Sequence, residues 1–219
     1  LVVMGLFINE TLVHEHRQSI HPRAVFRVYI DSLLNKRFPA LIFSLAFAFA
    51  GLFLYIAGAP TVIYDFLGLG SEDFGWLFIP IVIGLMAGAS ISGRLAHRWP
   101  ANRTISTGYG LMILACMLNL MATAFASASI LTVIGPLVLF VLGLAILMPA
   151  ITELALDCLP LHRGTAASMQ GFLQMITNAA VASIAVPLLH TRWLHFVSGQ
   201  LVFLLLAVML WLRLRQNPE

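Results

Sequence analysis

Five stretches of the chain contain no Asp, Glu, Lys or Arg: 38–64, 74–93, 104–152, 164–189 and 193–212. A helix that crosses the hydrocarbon core of a bilayer needs about 20 apolar residues, so four of these stretches hold one spanning helix each. The stretch 104–152 is long enough for two, and the small polar patch Ser127-Ala128-Ser129 is the natural turn between them. The pattern therefore predicts an all-α membrane protein with six transmembrane helices, at 38–64, 74–97, 103–126, 129–156, 164–190 and 193–212. The period-2 alternation of a membrane barrel is absent. The opening run 1–8 rises only about 12 Å as a helix. It has no basic segment before it and no small-residue cleavage site, so it reads as the tail of a truncated helix rather than a secretory signal. The expected organisation is the end of that helix at 1–12, a polar central loop at 13–37, the six-helix unit at 38–212 and a tail at 213–219.

The basic residues fix an orientation. Numbering the connections in order, one side carries Arg17, Arg23, Arg27, Lys36, Arg37, Arg94, Arg98, Arg103, Arg163, Arg213 and Arg215, and the other carries Arg192 alone. Lys and Arg accumulate in short cytoplasmic loops. The central loop and the C-terminus are thus expected on the cytoplasmic side, and chance placement does not readily produce this alternation over six connections.

Composition narrows the class further. Hydrophobic residues make up 60% of the 219 and charged residues only 10%, with a mean hydropathy of +0.96. A soluble domain carries about 25% charged residues, and water could not solvate a surface this apolar. A soluble enzyme, a nucleic-acid module and a disordered chain are excluded. The net charge of +3 and pI near 9.2 follow from the topology signal, with some attraction to anionic headgroups, and need no nucleic-acid partner. Cys116 and Cys158 are too few for a disulfide framework and read as unpaired thiols.

Gly84, Gly88 and Ser92 stand four apart, a helix face that lets a neighbour approach closely. The stretch from Gly88 runs on through Gly93-Arg94-Leu95-Ala96-His97-Arg98 to Arg103 as a charged turn. It resembles the glycine-and-arginine loop motif of the major facilitator superfamily, in the weaker copy carried by the C-terminal half. His97 stands where that motif commonly has an acid. Tyr55-Ile-Ala-Gly58-Ala-Pro60, Asp73-Phe-Gly75-Trp76-Leu-Phe78 and Gly164-Thr165-Ala-Ala-Ser168-Met-Gln170-Gly171-Phe172 add to the resemblance. With Asn9-Glu10-Thr11-Leu12 ahead of them, they look like the Bcr/CflA group of drug exporters. The resemblance implies the C-terminal half of a twelve-helix transporter in the cell inner membrane, built from two six-helix repeats. It also implies proton-coupled export of amphipathic small molecules by rocking of the halves. The partners are then protons, the substrate, the bilayer and a missing N-terminal six-helix half that carries the main proton-coupling acid.

Single residues carry finer expectations. Glu153 lies about 10 Å inside a helix end, where an ionised side chain needs an interior partner. It is either a proton or substrate site or an ion-pair partner of Arg94 or Arg98. Asp157 is an interfacial partner for Arg163 or Arg98. Gln170, Gln174 and Asn178 recur every four residues on one helix face. Amides facing lipid would lack partners, so that face points inward. It binds helices together or lines a polar cavity, as the equivalent helix does in the superfamily. Phe49, Phe53, Tyr55 and Phe47 form an aromatic patch on the first full helix, and it reads as lipid-facing or packing side chains or, as the resemblance implies, as the wall of a drug site. Pro60, Pro136, Pro149 and Pro187 mark expected bends.

The His14-Glu15-His16 and His21 set does not place ligands on one helical face, and reads as solvated loop. Leu67-Gly68-Leu69-Gly70 follows no strand, so it is no phosphate cradle. No metal or cofactor is expected. An intramembrane enzyme would need a nucleophile–base pair at membrane depth, whereas His195 sits near a helix end without an acid. A six-helix scaffold or channel subunit is the remaining alternative.

Overall fold

The computed structural model describes residues 22–125 and 129–216, with side chains from residue 28 to residue 215 outside the gap. The segment 1–12, the histidines from His14 to His21, and Ser127 and Ala128 of the expected turn lie outside the described residues, as do 217–219.

The described chain is helical: α1 (Pro22–Leu34), α2 (Arg37–Ala57), α3 (Gly75–Ala96), α4 (Ala101–Phe125), α5 (Ile130–Asp157), α6 (Arg163–Ala180), α7 (Val186–Leu189) and α8 (Trp193–Gln216). Among the described residues there is no strand. Six helical spans are long and apolar enough to cross a membrane, with α6 and α7 forming one of them. α1 falls inside the stretch read from sequence as a loop. Pro22 occupies its first position, where a missing N–H costs nothing. Its polar content hides it from a search for apolar runs.

Two features of the sequence set the helix ends. At the start of α5, Ser129 Oγ accepts from the Thr132 amide and Thr132 Oγ1 accepts from the Ser129 amide. This reciprocal cap fixes where the second helix of the 104–152 stretch begins. At the start of α2, Asn35 Oδ1 accepts from the Arg37 and Phe38 amides.

Prolines act unequally. Pro136 and Pro149 lie inside α5 and Pro80 inside α3 without ending either helix. α2, by contrast, stops at Ala57, and beyond Pro60 the chain continues as a π-helical turn, Thr61–Phe66. α6 passes into a second π-helical turn, Val181–Ala185, before α7 and its Pro187. A proline lacks the ladder N–H and crowds the carbonyl four residues back, and the wider π turns stand next to both of these prolines.

α5 is the hub, packing against α4, α3 and α2, while α2 also packs against α8 and α6. Buried residues make up 61% and 56% of the apolar windows of α2 and α5 but only 28% for α3 and 11% for the α6–α7 span. The two last spans are therefore the outer ones. Glycines allow the tightest contacts. A Cβ on Gly143 of α5 would stand 2.6 Å from the Gly108 carbonyl oxygen of α4, and one on Gly108 would stand 2.7 Å from the Gly143 oxygen. On α3, Gly84, Gly88 and Ser92 are all buried against α5. Ser92 Oγ donates to the Ile146 carbonyl at 3.0 Å, so the close approach expected from their spacing is present.

Candidate functional site

α2 presents two faces with different chemistry. Phe49 and Phe53, one turn apart, are half-buried and stacked at 6.4 Å between centroids. Tyr55 belongs to the opposite, fully buried face. Its hydroxyl accepts from Asn119 Nδ2 of α4 at 2.8 Å and donates to Gln200 Oε1 of α8 at 3.2 Å. Its ring meets Phe196 edge-on at 5.2 Å and Trp193 at 6.1 Å. Three turns earlier on the same face, Ser44 Oγ donates to the Ala207 carbonyl of α8 at 2.8 Å and lies 2.7 Å from the Tyr109 hydroxyl of α4. Two polar knots thus join the same three helices inside an apolar core. The aromatic patch expected on α2 separates accordingly into an accessible Phe49–Phe53 pair and an interior Tyr55.

Sequence reasoning missed Ser44, Tyr109, Asn119 and Gln200. Asn119 and Gln200 carried a usable signal, because an amide within a spanning helix has only other protein groups to bond. The same rule singles out the face of α6. There Gln170 Nε2 donates to Thr152 Oγ1 of α5 at 3.1 Å, tying the two helices together. Gln174 is half-buried and Asn178 is buried. Among the described residues, Gln170 Oε1 and Asn178 Oδ1 are buried acceptors without a hydrogen bond. α6 packs against α2, so the amide stripe and the Phe49–Phe53 pair stand on neighbouring helices.

Charged groups collect at one end of the bundle. Arg37 at the start of α2, Asn102 at the start of α4 and Arg215 near the end of α8 line one cleft. Arg94 and Arg98 are exposed nearby in sequence, around the end of α3, and Arg103 lies over the Trp99 ring at 4.4 Å. Asp157 pairs with Arg163, joining the end of α5 to the start of α6, and both side chains are about half exposed. Such a pair contributes about 0–1 kcal/mol.

Glu153 is exposed and makes no ion pair with Arg94 or Arg98 among the described residues. Ile151 and Ala155, two residues away on either side, are buried in the core, whereas Glu153 is not. Cys158 is half-buried just beyond α5. Burial pushes its thiol upward and Asp157 adds to the rise, against the lowering effect of Arg37. His195 is exposed, with Nδ1 3.1 Å from Thr191 Oγ1.

Six apolar spans around a polar-knotted core, with an amide stripe on the least covered span, define a polytopic α-helical membrane protein. The chain belongs to the Major Facilitator Superfamily, which it matches over residues 1–182. Proteins of that superfamily are membrane transporters, not enzymes.

Among its relatives, the multidrug transporter MdfA of Edwardsiella piscicida is 27% identical over 217 residues, covering 98% of this chain and 52% of the relative. MdfA of Shigella boydii serotype 4 is 28% identical over 189 residues, covering 86% and 45%. MdfA of Yersinia pestis bv. Antiqua is 26% identical over 201 residues, covering 89% and 48%. The chain spans about half the length of these relatives.

Proposed function

We propose that the chain forms one six-helix half of a proton-coupled multidrug exporter that works by alternating access. The observation that carries this reading is the match, along nearly the whole chain, to half of transporters named for moving many drugs. The geometry is compatible with it. A stacked Phe49–Phe53 pair on α2 and the half-buried Gln174 on neighbouring α6 offer apolar walls with an amide, which suits amphipathic ligands that need little directional bonding. The order of the quoted motifs favours the Bcr/CflA group within the superfamily.

The reading places the unit in the cell inner membrane, with the segment 13–37 and the C-terminus cytoplasmic. A second six-helix half covers the exposed faces of α3 and α6. Glu153 then meets that half or an aqueous cavity, because an ionised carboxylate within a span is unfavourable facing lipid. Arg94, Arg98, Asp157 and Arg163 form the charged collar that closes one conformation.

The test is ethidium efflux by inverted vesicles that carry the six-helix unit together with its second half. Dissipating the proton gradient should abolish efflux, and the 219-residue chain alone should not transport. Gln174→Leu should raise KM for some drugs by about fivefold or more, the size of one lost hydrogen bond, with unchanged expression. Glu153→Gln should lower efflux of all drugs together if the carboxylate serves closure, whereas selective loss of one cationic drug would make it a substrate contact. Efflux that is indifferent to the proton gradient would refute the coupling, and proton-driven efflux by the isolated chain would refute the half-transporter reading.

A further inference from the structure

At the arginine-rich end, the start of α2, the start of α4 and the end of α8 enclose a small cleft. It is lined by Arg37, Leu41, Asn102, Trp211, Leu214 and Arg215 and has a volume of about 70 Å³. None of the six is acidic. Its lining thus holds two guanidinium groups and one amide and no carboxylate. The α4 N-terminus, with Asn102 in its first turn, adds the positive end of a 25-residue helix. An independent feature is Trp211. It is only 4% exposed, and its indole Nε1–H, a donor with no accepting capacity, has no hydrogen-bond partner among the described residues. A buried donor left without an acceptor is unfavourable, and among the side chains lining this cleft only the Asn102 amide carries an accepting oxygen.

We propose that this cleft binds a phosphate group. A tetrahedral oxyanion fits the volume, which equals the liquid share of about two water molecules. It offers planar guanidinium groups the bidentate geometry they favour and sets acceptors beside Trp211, whose ring lines the cleft. Leu41 and Leu214 give the cleft apolar walls on the side of the spans, so the phosphodiester of an anionic phospholipid fits with its acyl chains along α2 and α8. A soluble phosphate satisfies the same groups. The inference is independent of drug transport and needs only the described bundle.

Native mass spectrometry of the 219-residue chain in detergent tests it, with phosphatidylglycerol competing against phosphatidylcholine and, separately, with inorganic phosphate. The wild-type chain should retain phosphatidylglycerol preferentially. Arg37→Gln and Arg215→Gln should each weaken retention about fivefold, the contribution of one basic side chain near an anionic headgroup. Trp211→Phe keeps the ring bulk, and it should weaken retention without altering the helical circular dichroism. Arg213→Gln, which alters a neighbouring exposed arginine outside the cleft, should leave retention unchanged. Retention of inorganic phosphate without lipid preference, lost in the same variants, would support the site with a soluble source. Equal retention of both lipids and no phosphate binding would overturn the proposal. So would an Arg213→Gln loss as large as that of Arg215→Gln, which would show only a diffuse positive surface.

Discussion

Asn119 sits 1% exposed between α2 and α8, and its Nδ2 serves both the Tyr55 hydroxyl and, at 3.4 Å, Gln200 Oε1. Removing it leaves two buried polar groups with only each other. In water that asymmetry would cost about 1–3 kcal/mol, but hydrogen bonds between membrane helices average about 0.6 kcal/mol because the unfolded chain in lipid also finds partners. The smaller scale governs here. Asn119→Leu is expected to destabilise the bundle by about 0.5–2 kcal/mol, read from unfolding in mixed micelles. Tyr55→Phe in the Asn119→Leu background should then cost less than it does alone, since the shared network is already broken. Equal costs in both backgrounds would show that the knot is not cooperative. These side chains also show where residue-level reading stops. The inward-facing rule identifies an interior amide from sequence, but which of six helices supplies its partner depends on packing across 145 residues between Tyr55 and Gln200.

At the scale of elements, spacing was more informative than residue identity. Gly84, Gly88 and Ser92 repeat at one-turn intervals along α3, so their common face was legible. Gly108 and Gly143 lie on different helices and outside any one-turn repeat, and nothing local announces that they meet. Their contact is as close as that of Gly88 with Leu142 and Ala145, with each hypothetical Cβ within 2.7 Å of the other's carbonyl oxygen. Gly143→Ala is expected to force α4 and α5 apart and to lower stability by about 1–3 kcal/mol. Gly110 lies on the exposed side of α4 with nothing within 4 Å of its Cβ position. Gly110→Ala should be neutral or slightly stabilising, by up to about 1 kcal/mol, because alanine restricts the unfolded chain. Thermal unfolding of the two variants compares them directly, and a similar loss in both would place the effect in helix propensity rather than in the crossing. The π turns at Thr61–Phe66 and Val181–Ala185 belong to the same scale. Pro60 and Pro187 announced a disturbance, but Pro136 and Pro149 announced the same and left α5 continuous, because ladder repair depends on neighbouring groups.

For the whole molecule, the run of uncharged stretches and the alternation of arginines carry the six-span architecture. They do so because the bilayer punishes any unpaired backbone and the topology signal lies in the loops. α1 escaped because an amphipathic surface helix carries no such run. The orientation is a property of the whole chain, and Cys158 offers a direct reading of it. In a Cys116→Ala chain, Cys158 is the single thiol, half-buried beside Arg37 at the arginine-rich end. A membrane-impermeant maleimide should label it in inverted vesicles and not in right-side-out ones, and thiols introduced at residues 20 and 100 should share that side. The rate carries a second check, since only the thiolate reacts. Burial raises the thiol above its ordinary value of 9.0, so at neutral pH the thiolate fraction is smaller than that of a free thiol. Labelling should be correspondingly slow at pH 7 and still climbing beyond pH 9. Arg37→Gln removes the one neighbour that lowers the value, so it should slow labelling further at every pH below the plateau. Faster labelling in that variant would mean that Arg37 shields the thiol sterically instead of stabilising its anion. Labelling from the right-side-out face would reverse the whole molecule and with it the cytoplasmic assignment of the arginine-rich end.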